Sequence, residues 1–314
     1  MDVLSEVLDV SGVRGSAGAR IAAGGDWGVE WVRDRDAVVY AVTAGIAWLT
    51  LDGEAPRLLM TGDVVILATG AGHSLSSEPG ADVHSCDVAS AAEARREGGD
   101  LRLGNGDVQT QVLGASYSHD PAGSTPVFAL LPPVVHLGAP QLDAALTDVV
   151  RLLGREIARP GLATDLLLDR LVDVLLIEVL RTWLASSPTV DASWWGVLRD
   201  PLLLRAVTLI HEAPGHPWTT EALAREVATS KQTLVRRFAT FAGTTPGAYL
   251  THWRMDLAAH RLRDTDESLD EIAADIGYTS VYAFSRAFSR ERSLPPGRYR
   301  MASRVGGSAS DRDA

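Results

Sequence analysis

The sequence predicts an α+β fold: an amino-terminal β-barrel, a helical connector and an all-α carboxy-terminal domain. Three observations lead there. Short apolar runs broken by Gly, Asp and Pro fill residues 29–117, helical periodicity replaces them after Pro133, and from Pro201 onward prolines punctuate a series of short amphipathic segments. At 314 residues the chain is about twice the modal domain size, so two buried cores are expected.

In chain order, strands are expected at 37–42, 46–51, 58–60, 64–67, 83–88 and 109–113. Asp52-Gly53 and Gly62-Asp63 fall between such runs, where glycine supplies the positive φ of a hairpin turn. Residues 89–107, rich in Ala, Gly, Glu and Arg without a period, read as an exposed loop. Leu142, Leu146, Val149, Val150 and Leu153 then recur at helical steps. A second helix, 164–185, carries Leu167, Leu168, Leu171, Val174, Leu175, Ile177, Val179 and Leu180. More than half of its circumference is apolar, so it must be buried on more than one side, in a core or against a second copy. Leu168 and Leu175 are expected to face outward and hold a homodimer. A linker is expected at 186–193, around Pro188. The expected domains are 1–130 (strand-rich), 131–195 (connector and dimerisation region) and 196–304 (helical), with 305–314 a disordered tail.

Hydrophobic residues make up 46% and charged residues 22%, a globular balance that argues against a disordered or fibrous chain. No apolar run reaches the length of a membrane span, and the start lacks the basic and apolar regions of a secretory signal. A cytoplasmic protein with no membrane partner is expected. The single cysteine, Cys86, rules out an internal disulfide and a Cys-rich zinc site. The net charge of -11 weighs against nucleic acid until its distribution is read. Residues 201–304 hold 14 Lys+Arg against 11 Asp+Glu, and the rest of the chain 15 against 29, so basic charge gathers in the last third.

That last third repeats one plan. Leu223-Ala224-Arg225-Glu226-Val227-Ala228-Thr229-Ser230-Lys231-Gln232-Thr233-Leu234-Val235-Arg236-Arg237-Phe238 is followed, fifty residues on, by Ile272-Ala273-Ala274-Asp275-Ile276-Gly277-Tyr278-Thr279-Ser280-Val281-Tyr282-Ala283-Phe284-Ser285-Arg286-Ala287-Phe288. Each has an aliphatic-Ala pair, a second aliphatic residue, a serine able to cap a helix, then apolar residues four and eight later with an arginine between. This is the spacing of a helix-turn-helix, about 219–240 and 268–290. Ala224 and Ala273 are small where two helices must approach closely. Ser268-Leu269-Asp270-Glu271 is a capping box, and Gly277 suits the left-handed turn position. Ala228 stands where the first unit would need that glycine, at a cost of roughly 1–2 kcal/mol if its φ is positive. The stretch 246–266, with Tyr249, Leu250, Trp253, Met255 and Leu262, suits one long helix between the units.

Together with Trp218-Thr219, Pro246-Gly247-Ala248-Tyr249-Leu250, Trp253-Arg254-Met255 and the closing Pro296-Gly297-Arg298-Tyr299-Arg300, these segments resemble the AraC/XylS family of transcriptional regulators over about a hundred residues. Ala228-Thr229 and Ser293 depart from the family pattern, which has glycine at Ala228 and at Ser293. The resemblance implies a double-stranded DNA partner and recruitment of RNA polymerase. It also implies recognition helices whose Ser230, Lys231, Gln232, Arg236, Ser280, Val281, Tyr282, Arg286 and Arg290 contact DNA.

The amino-terminal part resembles the cupin-type sensor domain of one branch of that family, through 2–8, Gly45 with Trp48-Leu49, Leu51-Asp52-Gly53, Gly62-Asp63, Gly70 with His73, and Leu131-Pro132-Pro133-Val134-Val135-His136-Leu137. It implies a cupin-like barrel that binds a small-molecule effector, with Trp31, Tyr40, Trp48, His73 and His84 as the expected contacts. Many cupins are metalloenzymes. Here Tyr40 stands where a metal-binding histidine is common, and His73 alone is a poor catalytic metal site, so no metal, cofactor or catalytic residue is expected. The expected function is an effector-controlled, sequence-specific transcription regulator. A cupin metalloenzyme fused to a DNA-binding domain is the alternative, and a barrel that serves only for dimerisation is a third reading.

Overall fold

A computed structural model describes residues 2–32, 36–86, 100–118, 127–187 and 194–310. Two compact units emerge, and their membership departs from the expected boundaries. One unit takes Arg14–Ser118 and Leu131–Ser187; the other takes the described residues of 1–13, 119–130 and 188–314. The expected connector, 131–195, is therefore not a separate body: as far as Ser187 it belongs to the strand-rich unit. Conversely, helix α1 (Val3–Val10) leaves that unit for the helical one.

The strand-rich unit holds β1 (Arg14–Gly24), β2 (Gly28–Trp31), β3 (Ala37–Ala44), β4 (Ile46–Leu51), β5 (Arg57–Met60), β6 (Val64–Leu67), β7 (His73–Ser76), β8 (His84–Ser85), β9 (Leu101–Gly104), β10 (Thr110–Ser118) and β11 (Val134–Leu137). They form two sheets, ordered β11-β6-β3-β10-β1-β9 and β5-β4-β7-β2-β8, rather than one closed barrel. Ile21, Tyr40, Val65 and Val112 from the first sheet and Val29, Leu49, Leu59 and Leu75 from the second share one core. Gly53 and Gly62 take the positive φ expected of their turns.

Five strands, β1, β2, β7, β9 and β11, fall outside the expected runs. β1 is Ala- and Gly-rich and has Ile21 as its one large aliphatic residue, yet it lies inside a sheet between β10 and β9. Within the expected loop 89–107, Leu101 and Leu103 alternate and pair in parallel with β1; residues 87–99 lie outside the described residues. After Pro133, where helix was expected to begin, β11 first pairs with β6.

Helices α2 (Ala144–Ala158) and α3 (Thr164–Ser186) complete this unit. α3 packs on β1, and its Val172 carbonyl accepts a 2.7 Å hydrogen bond from the buried Tyr117 hydroxyl. Leu168 and Leu175 are 2% and 4% exposed, so they face the core of their own unit and not outward as expected. The apolar residues that α3 and the turn before it leave in solvent are Leu162, Leu166, Leu167 and Val174. Most of the expected linker, residues 188–193, lies outside the described residues.

The helical unit runs α4 (Pro201–Glu212), α5 (Thr220–Glu226), α6 (Lys231–Ala242), α7 (Pro246–Asp264), α8 (Leu269–Asp275), α9 (Val281–Arg292) and α10 (Pro296–Ser310), together with α1. α10 continues to Ser310, into the stretch expected to be a disordered tail. Residues 311–314 lie outside the described residues. No described helix is long and apolar enough to cross a membrane.

Candidate nucleic-acid interface

Each helix-turn-helix unit is built from local signals. Ser230 caps α6 by accepting the Thr233 amide at 3.1 Å, and Ser280 caps α9 by accepting the Ala283 amide at 3.2 Å. Ser268 and Glu271 cap α8 reciprocally. The turn between α8 and α9 uses Gly277 at φ 85°, and the turn between α5 and α6 uses Ala228 at φ 51°. The strain anticipated from the sequence is present, and Ser293, at φ 57° after α9, adds a second case.

One helix carries both units. The amino-terminal half of α7 gives Tyr249, Leu250 and Trp253 to the first core, where the Phe238 ring of α6 meets Tyr249 edge-on at 5.8 Å. Its carboxy-terminal half gives Met255, Ala258, Ala259 and Leu262 to a second core with Ile272, Ile276, Phe284, Phe288 and Tyr299. A buried ion pair from Arg292 to Asp256 fixes α9 on α7. Nineteen residues of α-helix span about 28 Å, so the separation of the two units is set by a continuous rod.

The expected contact residues separate into four groups. Gln232 and Arg236 lie exposed on one face of α6, a turn apart, and Tyr282, Arg286 and Arg290 form an exposed i, i+4, i+8 stripe on α9. Arg286 holds its guanidinium 5.8 Å from the centre of the Tyr282 ring. Lys231 is exposed and ion-paired with Glu221, so its charge is already shared. Ser230 and Ser280 act as helix caps. Val281 is half-buried and packs against the second core. Arg254, which was not singled out, donates to the carbonyls of Pro214 at 2.7 Å and His216 at 2.9 Å, fixing the segment before α5.

In the strand-rich unit, three of the five expected effector contacts come together. Trp31 stacks on His73 with ring centres 5.2 Å apart, and the Tyr40 hydroxyl lies 2.9 Å from His73 Nε2. Burial pushes His73 below its usual pKa and keeps it neutral. Its Nδ1 lies 2.8 Å from the Ala71 carbonyl, which only accepts; Nδ1 therefore carries the proton and Nε2 accepts from Tyr40. Both nitrogens of the His73 ring are thus hydrogen-bonded beside a packed core. Trp48 and His84 do not join it: Trp48 points to the opposite face of β4 from Leu49, and His84 is exposed on β8. Among the described residues there is no group of three or more His, Cys, Asp or Glu able to hold a metal ion.

The open space of this unit lies elsewhere. A cleft of about 730 Å³ runs between α2 and the first sheet, lined by Arg20, Thr43, Gln111, Val150, Arg155 and Arg159 among others. Arg20 is held by Asp100 in a two-point ion pair at 2.8 and 2.9 Å. No sequence signal pointed to this cleft, because its walls are contributed by β1, β3, β10 and α2.

Residues 2–185 match a family model described as cupin, and residues 223–302 match one described as helix-turn-helix domain. An AraC-like transcription regulator of Streptomyces lividans is 33% identical over 302 residues, covering 96% of this chain and 98% of its own. The HTH-type transcriptional regulator MtrA of Neisseria gonorrhoeae is 30% identical over 307 residues, with 96% and 98% covered. Among solved structures, the DNA-binding domain of AdpA in complex with a target DNA aligns at 32% identity with 34% of this chain and 95% of that one, with a TM-score of 0.32.

Proposed function

The chain belongs to the AraC-like transcription regulators, which bind double-stranded DNA, and from that premise we propose a one-component regulator whose two helix-turn-helix units read one operator under the control of a small organic effector. The observation that carries the DNA part is the pair of exposed faces, Gln232–Arg236 and Tyr282–Arg286–Arg290, held by the single helix α7. With the spacing fixed, one protomer should meet two successive major-groove segments on one side of the duplex, about 34 Å apart. The site would be long and directional, and RNA polymerase would be recruited beside it.

For the effector, the strand-rich unit is the receiving part. The core between its sheets is packed and the His73 ring is hydrogen-bonded at both nitrogens, which favours the cleft beside α2 as the binding place. Arg155 and Arg159 line that cleft, so organic anions are the class to screen first. Thermal-shift screening of small organic acids on the wild type, repeated on Arg155→Glu, tests this. A stabilising compound that loses its effect in the variant supports the cleft, and one that stabilises both equally places the effector elsewhere. The protein acts in this reading as a homodimer in the cytoplasm, without catalysis.

DNA reading is tested by sequencing fragments captured by the purified chain, then measuring Arg236→Ala and Arg286→Ala on a captured operator and on scrambled DNA at two salt concentrations. If both arginines read bases, each loss weakens operator binding by about 1–3 kcal/mol and relaxes preference in a different half of the site. A contact to phosphate alone weakens both DNAs alike and flattens the salt dependence. Unchanged affinity for both DNAs overturns the placement of the reading faces.

A further inference from the structure

Helix α1 is a short amphipathic segment that precedes the strand-rich unit in sequence and belongs to the helical one. Val3 and Val7 are buried, and α1 packs on α4 and α7. Between those valines, Glu6 points at His211 of α4, whose side chain is 1% exposed. Glu6 Oε2 lies 2.8 Å from His211 Nδ1, and the Tyr249 hydroxyl of α7 lies 3.0 Å from His211 Nε2. The histidine ring lies flat on Trp253 of α7, centres 3.7 Å apart and planes within 3°.

The chemistry of these partners assigns the protons. Glu6 as a carboxylate only accepts, so Nδ1 carries the hydrogen and Nε2 accepts from Tyr249. Each polar atom of the ring is satisfied once, and only when α1, α4 and α7 sit in this alignment. From Tyr249 the contact passes edge-on to Phe238, two residues beyond Arg236 on the first reading helix. The far end of α1 is seated separately: Asp9 is 3.8 Å from His260, and the Arg263 guanidinium of α7 lies against Gly12. Thus α1 touches both halves of the rod that separates the two units.

A buried polar network of this kind adds little net stability over well-packed apolar groups, but it penalises every arrangement that leaves a member unpaired. We propose that α1 is a third component of the DNA-reading unit, and that Glu6 is a positioning residue for the first helix-turn-helix, acting through His211 and Tyr249. The inference rests on the DNA-reading function proposed above, which the wild-type control tests by itself.

The experiment uses the full chain and three substitutions: Glu6→Gln, Glu6→Ala and His211→Phe, with Arg102→Ala on exposed β9 as control. Glutamine keeps an oxygen acceptor for Nδ1–H. Alanine removes it. Phenylalanine keeps the stack on Trp253 and deletes the polar network without leaving an orphaned group on the ring. On a captured operator, Glu6→Ala and His211→Phe should lose about fivefold to tenfold in affinity, the worth of one ordinary hydrogen bond. Binding to scrambled DNA should not change, and footprint protection should weaken in the half read by α6. Glu6→Gln and Arg102→Ala should match the wild type. Amide hydrogen exchange in the absence of DNA should quicken over 249–256 in Glu6→Ala and stay unchanged over 284–288. Operator discrimination kept by both Glu6→Ala and His211→Phe, a parallel loss on both DNAs, or unchanged exchange over 249–256 would each overturn the proposal. A wild type with no preference for captured DNA would instead remove the DNA-reading premise, while the exchange measurement still decides whether α1 positions α7.

Discussion

At the level of single residues, the backbone at Ala228 makes a direct prediction. Its φ of 51° places a β-carbon where glycine is the comfortable occupant. Ala228→Gly should therefore stabilise the helical unit by about 0.5–1 kcal/mol, the relief of left-handed strain less the added freedom of the unfolded chain. A melting temperature that does not rise would show that the turn is adjusted around alanine. The two buried histidines make another. Desolvation pushes His211 down to about 3 and lowers His73, so the native chain stays unprotonated where the unfolded chain, near pH 6.5, takes up protons. Stability from these groups is full above about pH 6.5 and is lost as pH falls towards the folded values, by about 2 kcal/mol at pH 5 for His211. Glu6, raised by its burial and by Glu212 and Asp2, opposes this in part nearer its own midpoint. Melting temperatures at pH 7.5 and pH 5 should show the drop, and His211→Phe should shrink it. Much at this scale was legible because it is local: Ser230, Ser268 and Ser280 cap helices at the places their spacing announced. The Glu6–His211 pair was not, because 205 residues separate its members and no periodicity links them.

Among elements, helices were easier to read than strands. α3 and α7 emerged with nearly their expected ends, since a 3.6-residue apolar rhythm over many residues leaves little choice. β1 escaped because a strand inside a sheet can be made from alanine, glycine and arginine when its neighbours supply the hydrogen bonds, and β9 because a four-residue edge strand carries too little pattern. The orientation of α3 also escaped, because periodicity shows how wide an apolar face is and not which part of it meets the chain's own sheet. Leu168→Glu or Leu175→Glu should accordingly cost more than about 3 kcal/mol and unfold the strand-rich unit. Leu166→Glu, on the exposed stripe with Leu162, should leave the melting temperature within about 1 °C while converting a homodimer to monomers, as read by sedimentation at micromolar concentration. A monomeric wild type, or a Leu166→Glu chain that remains dimeric, would remove α3 from the dimer contact.

For the molecule as a whole, charge decides where nucleic acid can lie. A chain of net charge -11 carries its only excess of basic residues in the last third, so the rest of its surface should repel DNA. Affinity for operator and for scrambled DNA should fall steeply between 50 and 200 mM salt, roughly tenfold or more, and measuring both slopes gives the number of phosphate contacts. The division into a strand-rich part and a DNA-reading part was legible because their apolar periods differ. Their true borders were not, because the docking of α1 and the pairing of β11 with β6 depend on contacts distant in sequence.

The membership of α1 also orders events during synthesis. The ribosome releases Glu6 some 200 residues before His211, and later still the α7 residues that hold Gly12. The strand-rich unit can therefore be complete while α1 still waits with Val3 and Val7 exposed, and closing so long a loop costs entropy that only its contacts with α4 and α7 repay. Chains stalled or cleaved before α7 would keep that apolar segment uncovered, a handle for chaperones and proteases that vanishes once the DNA-reading unit is whole.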